Sequence, residues 1–121
     1  MHKSIMIVLS KPVSQEDEEA YNRWYSDVHL AEIVALPGVT GAARYKIAEL
    51  ALPSEPSKRT QKYIAIYELT ANTEAELQAF VDNMNASIGA GNFDMSGPMD
   101  FNDVDAMLAL PIGRRLPEQE L

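Results

Sequence analysis

In the first half of the chain, a segment with the apolar pattern of a strand is followed by one with the apolar pattern of a helix, and then by a second strand pattern. Residues 4–9, SIMIVL, form a short apolar run before Pro12, which predicts a buried strand. Ser14 and Asp17 have the spacing of a weak capping box, and the acidic residues 16–19 favour the start of a helix. We expect this helix to continue through YNRWYSDVHLAEIVAL and to stop at Pro37-Gly38.

The rest of the chain completes this order of patterns and then repeats it. Residues 39–47 alternate at period two, which predicts a second strand, and a loop rich in proline and serine follows. Residues 63–69, YIAIYEL, predict a third strand from their β-branched and aromatic content. A second capping box, Thr73 with Glu76, opens a helix that ends at Gly89-Ala-Gly91. Residues 106–110, AMLAL, predict the last strand, and residues 113–121 form a polar C-terminal tail.

The element order β-α-β-β-α-β predicts a single α+β domain over residues 1–121 with a ferredoxin-like fold. This fold is an antiparallel four-stranded sheet with two helices on one face. The strands nevertheless have apolar residues on both faces. In the first strand, for example, Ile5 and Ile7 lie on one face and Met6 and Val8 on the other. In a sheet with one face exposed to solvent, apolar and polar residues should alternate along each strand. Because they do not alternate here, the second face should also be buried. A homodimer with two sheets face to face is the favoured solution, and a monomer with a ligand cleft is the alternative.

The composition narrows the classes of partner. The chain has 121 residues, of which 46% are hydrophobic, so one domain with a real core is expected. A net charge of -8 argues against nucleic acid and anionic membrane surfaces. No apolar run approaches the ~20 residues of a membrane span, and the N-terminal run is too short for a signal peptide. The absence of cysteine excludes disulfides and thiolate chemistry. We therefore expect a mature cytoplasmic protein that binds a small hydrophobic molecule.

Large amphipathic side chains are concentrated in residues 21–29, YNRWYSDVH. This segment holds the only tryptophan, two of the five tyrosines and one of the two histidines. Tyr21, Tyr25 and His29 follow at intervals of four, about one helical turn, and Trp24 lies on the adjacent stripe. Both stripes can face the sheet together. The segment therefore either fills the core or lines a pocket that does chemistry.

His29 and Tyr25 are the candidate catalytic residues. An imidazole titrates near neutrality and can take a proton from an activated carbon or a phenolic hydroxyl. Tyr25 can orient the imidazole or donate a hydrogen bond to a developing oxyanion. The competing interpretation is structural, because a histidine near a helix C-terminus can simply bond the last carbonyls.

Further candidates lie on the predicted strands and in the loop 92–103. On the third strand, Tyr63 and Tyr67 flank the small Ala65, which either leaves room for an aromatic ligand or is ordinary sheet packing. Arg44 lies on the face of its strand opposite to Tyr45. It is expected to pair with the acidic start of the first helix or with a partner subunit, and binding of a substrate anion is the further alternative. The apolar residues of the loop predict either a lid or a satellite of the core. The candidate substrate-binding residues are Tyr21, Trp24, Tyr45, Tyr63, Tyr67 and Phe93.

We expect neither a metal nor a cofactor. The two histidines, His2 and His29, cannot supply the usual nitrogen ligands, and Asp27 and Glu32 add no dense cluster around His29. The glycines at 89 and 91 follow a helix instead of preceding one, so they do not predict a phosphate-binding loop.

Residues 24–47, WYSDVHLAEIVALPGVTGAARYKI, resemble the signature of the EthD-like branch of the dimeric α/β-barrel superfamily. The features that carry the resemblance are Trp24-Tyr25, His29-Leu30, Pro37-Gly38 and Arg44-Tyr45, together with PIGRRL near the C-terminus. The resemblance implies a homodimer whose sheets close into a barrel, with a pocket between each sheet and its helices. Members of the superfamily include polyketide cyclases, muconolactone isomerases, cofactor-free monooxygenases and haem-degrading enzymes, so the fold does not select the reaction.

Three hypotheses about function remain open. The first is a cofactor-independent lyase, cyclase or isomerase that acts on an aromatic or polyketide-like molecule, with His29 as the general acid/base. The second is a cofactor-free monooxygenase or a haem-handling protein, in which His29 would be the axial ligand. The third is a dimeric ligand-binding protein without catalytic activity.

Overall fold

A computed structural model describes residues 3–54 and 58–118, and it places four strands in one antiparallel sheet. The strands are β1 (Ser4–Ser10), β2 (Val39–Lys46), β3 (Tyr63–Leu69) and β4 (Asp105–Ala109). Their order across the sheet is β2-β3-β1-β4, and each neighbouring pair runs antiparallel. The predicted α+β ferredoxin-like fold is confirmed. His2 and the last three residues of the predicted tail lie outside the described residues.

The first helix consists of segments that follow one another directly. A 3₁₀ turn (Gln15–Asp17) leads into α1 (Glu18–Trp24), a π turn (Tyr25–His29) and α2 (Leu30–Val34). The predicted capping box at Ser14 is wrong, because its hydroxyl donates to the Asp17 carboxylate at 2.7 Å and accepts no backbone N–H. The side chain that should complete the box therefore competes with the backbone for the hydroxyl.

The second long helix, α3 (Glu74–Gly89), begins as the sequence predicts. Thr73 Oγ1 accepts a hydrogen bond from the backbone N–H of Glu76 at 3.1 Å. The Glu76 carboxylate in turn accepts from the backbone N–H of Asn72 at 3.4 Å. On its inner face α3 buries Leu77 and Phe80, which join the hydrophobic core.

The strand register determines which side chains share a face of the sheet. Met6, Val8 and Tyr67 point into the core, where they meet residues of both helices. On the other side Ile7 pairs with Ile66 of β3 and with Met107 of β4. We call this side the open face. Its polar members are Glu68 and Asp105, and the others are Gly41, Ile5, Ile7, Leu9, Ala43, Tyr45, Ile64, Ile66, Met107 and Ala109.

The open face is mostly apolar, but within one chain it is only partly covered. Its four isoleucines are half-buried, while Tyr45 and Met107 are 53% and 40% exposed. The sheet is therefore apolar on both sides, as the strand patterns predict. Across the described ranges, no helix has the length and apolar character needed to cross a bilayer.

Candidate active site

The surroundings of His29 depend on the π turn. The Leu30 N–H donates to the carbonyl of Tyr25, five residues earlier, where an α-helix would use the residue four earlier. Residues five apart differ by about 140° around a regular α-helix, so their side chains diverge. The wider turn instead stacks Trp24 on His29, with ring centroids 4.9 Å apart and planes 12° apart.

Three aromatic rings enclose the imidazole of His29. Besides Trp24, Tyr25 and Phe93 meet it nearly at right angles, with centroid distances of 4.9 and 5.9 Å. His29 is only 8% exposed. We call Trp24, Tyr25, His29 and Phe93 the aromatic cluster. Its rings occupy the space beside residues 21–29 where the sequence predicts a pocket.

Glu32 is the acidic partner of the imidazole, a role that the sequence patterns do not indicate. Its Oε1 lies 3.5 Å from Nδ1 of His29, which is an ion-pair distance and longer than a well-formed hydrogen bond. Both atoms are buried, and neither has a hydrogen-bond partner. The spacing of three residues along a helix is the signal that would have found this pair.

Burial lowers the pKa of His29 below its ordinary value of 6.5. Desolvation is the largest cause, and the charge of Arg44 acts in the same direction, whereas Glu32 raises the pKa. The effects that lower the pKa of His29 outweigh that of Glu32, so His29 is neutral at pH 7. A neutral imidazole has a free lone pair and can accept a proton.

This lowered pKa makes stability depend on pH. Below about pH 6.5 the unfolded chain binds a proton that folded His29 resists, so the free energy of unfolding should fall as the pH drops through this range. Each unit by which folding lowers the pKa of His29 reduces the free energy of unfolding at low pH by at most about 1.4 kcal/mol. Urea unfolding at about pH 7.5 and about pH 5.5 would measure the loss, and it should be smaller in His29→Gln. An equal loss in both proteins would contradict the assignment.

Tyrosine hydroxyls form a buried layer beneath the cluster. The hydroxyls of Tyr25 and Tyr67 lie 3.1 Å apart, and that of Tyr21 lies 2.5 Å from Ser10 Oγ. The Tyr63 hydroxyl accepts from the side-chain amide of Asn22 at 3.0 Å. The polar ends of these rings are thus hydrogen-bonded although the rings are buried, as buried phenols require.

Burial raises the pKa of the phenols. The pKa of Tyr25 rises to about 12, and those of Tyr21 and Tyr67 also rise, with desolvation as the largest cause in each case. All three remain protonated at neutral pH. A protonated Tyr25 can donate a hydrogen bond but cannot act as a base.

Arg44 ties the first helix to the sheet over these tyrosines. Its guanidinium lies 4.3 Å from the centre of the Tyr25 ring, within the range of a cation–π interaction. It donates to the carbonyl and side-chain oxygens of Asn22 and to Ser26 Oγ. Arg44 does not pair with the acidic start of the helix. Lys46 of the same strand makes that ion pair instead, with its Nζ 3.9 Å from Oε1 of Glu18.

Residues 93–97, which we call the 93–97 segment, close over the cluster. The indole Nε1–H of Trp24 donates to the carbonyl of Asp94 at 3.2 Å. The backbone N–H of Asp94 donates to Oε2 of Glu32 at 2.6 Å. A Cβ at Gly97 would lie 1.9 Å from Cδ2 of Trp24, so only glycine lets the backbone approach the indole this closely.

The loop 92–103 combines both roles that its apolar residues predict. Met99 is buried in the core at 6% exposure, which fits a satellite of the core. Phe93 packs against the imidazole, which fits a lid. Met95 and Phe101 remain exposed at 46% and 44%.

The structure brings most of the predicted site residues together. Tyr21, Trp24, Tyr25, His29, Tyr63, Tyr67 and Phe93 lie in or next to the aromatic cluster. Tyr45 does not, because its parity on β2 is opposite to that of Arg44 and its side chain belongs to the open face. Among the described residues, no three histidine or carboxylate side chains come together as a metal site.

Two surface clefts lie away from the cluster. One of about 790 Å³ lies beside the end of β2 and is lined by residues that include Lys46, Leu50 and Gln61. The other, of about 260 Å³, lies between the start of β2 and α3, near Gly38 and Phe80. Neither is lined by a residue of the aromatic cluster, so neither gives a path to His29 in this closed conformation.

Comparison with known proteins identifies the fold. The structure is similar to an ethyl tert-butyl ether d (ethd) family protein from Bacillus halodurans, with 17% identity and a TM-score of 0.51 over 93% of this chain and 100% of that one. HapK from Hahella chejuensis is also similar, with 16% identity and a TM-score of 0.47 over 93% of this chain and 97% of that one. No family model and no curated protein sequence matches the chain. The likeness to the first of these structures shows that the two chains share an α+β fold.

Proposed function

We propose that this protein is a cofactor-independent enzyme that moves a proton of a hydrophobic, aromatic or polyketide-like small molecule by means of His29. The observation that carries the proposal is the buried, neutral imidazole held between aromatic rings with a carboxylate against Nδ1. A histidine whose pKa is shifted by desolvation beside a specific charged partner is a candidate for general acid–base catalysis.

The chemistry follows from the protonation states of the two central groups. Neutral His29 would accept a proton from an acidic carbon or a phenolic hydroxyl of the substrate. Tyr25 stays protonated because its pKa is raised to about 12, so it can donate a hydrogen bond to the oxygen on which negative charge develops. The proton then returns from the imidazolium to the product, which leaves the protein unchanged, as in a lyase, cyclase or isomerase step.

The surroundings of His29 support a flat, apolar substrate without a large negative charge. Trp24 and Phe93 offer ring surfaces on which an aromatic group can pack. The net charge of -8 disfavours polyanionic molecules, including nucleic acids. The same charge and the lack of cysteine are typical of a cytoplasmic protein, which is the location we propose.

A homodimer is the proposed working unit. The half-buried isoleucines of the open face form a contiguous apolar surface, and such surfaces on soluble proteins mark interaction sites. Two copies packed by their open faces would close into a barrel. Each Å² of apolar area that they bury would contribute roughly 25 cal/mol before the costs of association.

Proton exchange in deuterated buffer tests the proposed reaction directly. The protein would be incubated with aromatic and polyketide-like compounds that carry an acidic C–H next to a carbonyl, and mass spectrometry would follow deuterium uptake. We expect accelerated uptake for one class of compound. Binding without uptake would instead favour the non-catalytic ligand-binding protein, and a Soret shift on addition of haem would favour the haem-handling alternative.

A further inference from the structure

We propose that Glu32 is a positioning residue that couples the base to a lid, with one carboxylate oxygen facing Nδ1 of His29 and the other holding the 93–97 segment closed. The proposal rests on the proposed function in one respect, because it takes His29 as the base. It adds how that base is oriented and how the substrate reaches it.

One carboxylate oxygen of Glu32 is hydrogen-bonded, and the other faces the imidazole without a hydrogen bond. Oε1 lies 3.5 Å from His29 Nδ1, and Oε2 accepts the backbone N–H of Asp94 at 2.6 Å. The contact of Oε1 with Nδ1 is buried, whereas the hydrogen bond of Oε2 lies at the exposed residue Asp94. A carboxylate that accepts a backbone N–H makes a charge-assisted hydrogen bond, which is stronger than a neutral one.

The contact with Oε1 selects one tautomer of the imidazole. A carboxylate is acceptor-only when ionised, so it favours the tautomer that carries its hydrogen on Nδ1. The lone pair then remains on Nε2 of His29, which becomes the atom that accepts the substrate proton. Glu32 thus acts through His29 and need not touch the substrate.

The contact with Oε2 holds the cover over the base. Trp24 and His29 are 9% and 8% exposed, so a substrate can reach the imidazole only after part of the cover moves. The 93–97 segment is the part of the cover that can be displaced without disrupting a helix or a strand, because it belongs to neither. Displacing it would break the two backbone hydrogen bonds that join Asp94 to Glu32 and Trp24, and would lift Phe93 off the imidazole.

Lid movement and basicity are linked through the carboxylate. The charged or titratable groups that face the imidazole are Glu32 on its own helix, Arg44 on β2 and the phenol of Tyr25. Opening removes the Asp94 N–H that partly neutralises Glu32, and it also admits water to the ring. Both changes favour the charged imidazole, so the pKa of His29 should be higher in the open state than in the closed one.

Glu32→Gln tests both contacts without any substrate. Long-range ¹H–¹⁵N NMR of the imidazoles should show His29 protonated on Nδ1 in the wild type, with a lower pKa and a mixed tautomer in the variant, because the negative charge that raises the pKa is gone. Amide exchange at Asp94 should become at least about tenfold faster, since the N–H loses a charge-assisted hydrogen bond. A His2→Gln variant assigns the second histidine signal.

Two matched variants separate a specific effect from a general one. Glu19→Gln makes the same change of charge at an exposed side chain on the same helix, and it should alter neither the His29 tautomer nor the exchange of Asp94. Glu32→Asp keeps the charge but has a shorter side chain that cannot reach both partners. It should therefore lose at least one contact, so that the His29 tautomer, the exchange of Asp94 or both depart from the wild type.

The proposal is overturned when Glu32→Gln leaves the His29 signals or the exchange of Asp94 as in the wild type, because the coupling requires both to change. It is also overturned when Glu32→Asp leaves both the His29 tautomer and the exchange of Asp94 as in the wild type. No measurement in this set depends on turnover. A failed substrate screen would therefore count against the proposed function and leave this result standing.

Discussion

Replacing His29 by glutamine is expected to slow deuterium uptake by the substrate about 10²–10⁴-fold, the usual loss when a general acid or base is removed. Glutamine is similar in size and can still form a hydrogen bond, but it cannot carry a proton at neutral pH. Since the pKa of His29 is lowered and the ring is neutral at pH 7, the substitution removes no buried charge. The fold should therefore survive while the reaction is lost.

The controls for this substitution distinguish a chemical role from a structural one. His2→Gln makes the same change elsewhere in the chain and should leave the rate unaffected. Thermal unfolding and binding of the substrate should be nearly unchanged in His29→Gln. A variant that is clearly less stable yet exchanges protons at the wild-type rate would show that His29 only fills the core.

Ile66→Lys is expected to convert the proposed homodimer into a folded single chain. Ile66 lies in the middle of the open face, where it pairs with Ile7 and Ala43 on the neighbouring strands. In a symmetric dimer the substitution places two ammonium groups in one apolar interface, and the desolvation of each costs several kcal/mol. In the single chain Ile66 is only half-buried, so the lysine can reach water there.

Sedimentation equilibrium over a range of concentrations would measure the change in mass, and circular dichroism would confirm the fold. Val13→Lys is the matched control, because Val13 is an apolar residue outside the sheet that is 55% exposed. It should leave the dimer intact. A wild-type protein that sediments as a well-folded single chain at every concentration would contradict the dimer and favour a monomer.

The elements of the fold could be predicted because each leaves a local pattern. β3 (Tyr63–Leu69) occupies the residues that its β-branched and aromatic content indicates, and α3 (Glu74–Gly89) begins at the predicted Thr73 cap. The failed cap at Ser14 shows the limit of such patterns. The spacing identifies two side chains that can meet, but not whether the hydroxyl bonds the backbone or the carboxylate.

The candidate site depends on contacts and a backbone turn that leave no recognisable pattern among neighbouring residues of the sequence. The link between Glu32 and Asp94 joins residues that are 62 positions apart, and only the folded chain brings them together. A π turn has no composition of its own, so periodicity alone places Tyr25 and His29 together and leaves Trp24 on a neighbouring stripe. Parity does separate Tyr45 from Arg44, but it does not say which of them faces the helices.

The wide turn at Tyr25–His29 adopts one of the two hydrogen-bond registers that a helical backbone can take at this point. In one, the Leu30 N–H bonds the Tyr25 carbonyl and the imidazole stacks on the indole. In the other, the same N–H would bond the Ser26 carbonyl as in an ordinary α-helix, and the two rings would point in different directions. The backbone hydrogen bond and the stacking of the two rings should therefore change together. An isotope label on the Tyr25 carbonyl would then report the position of the His29 side chain, four residues away.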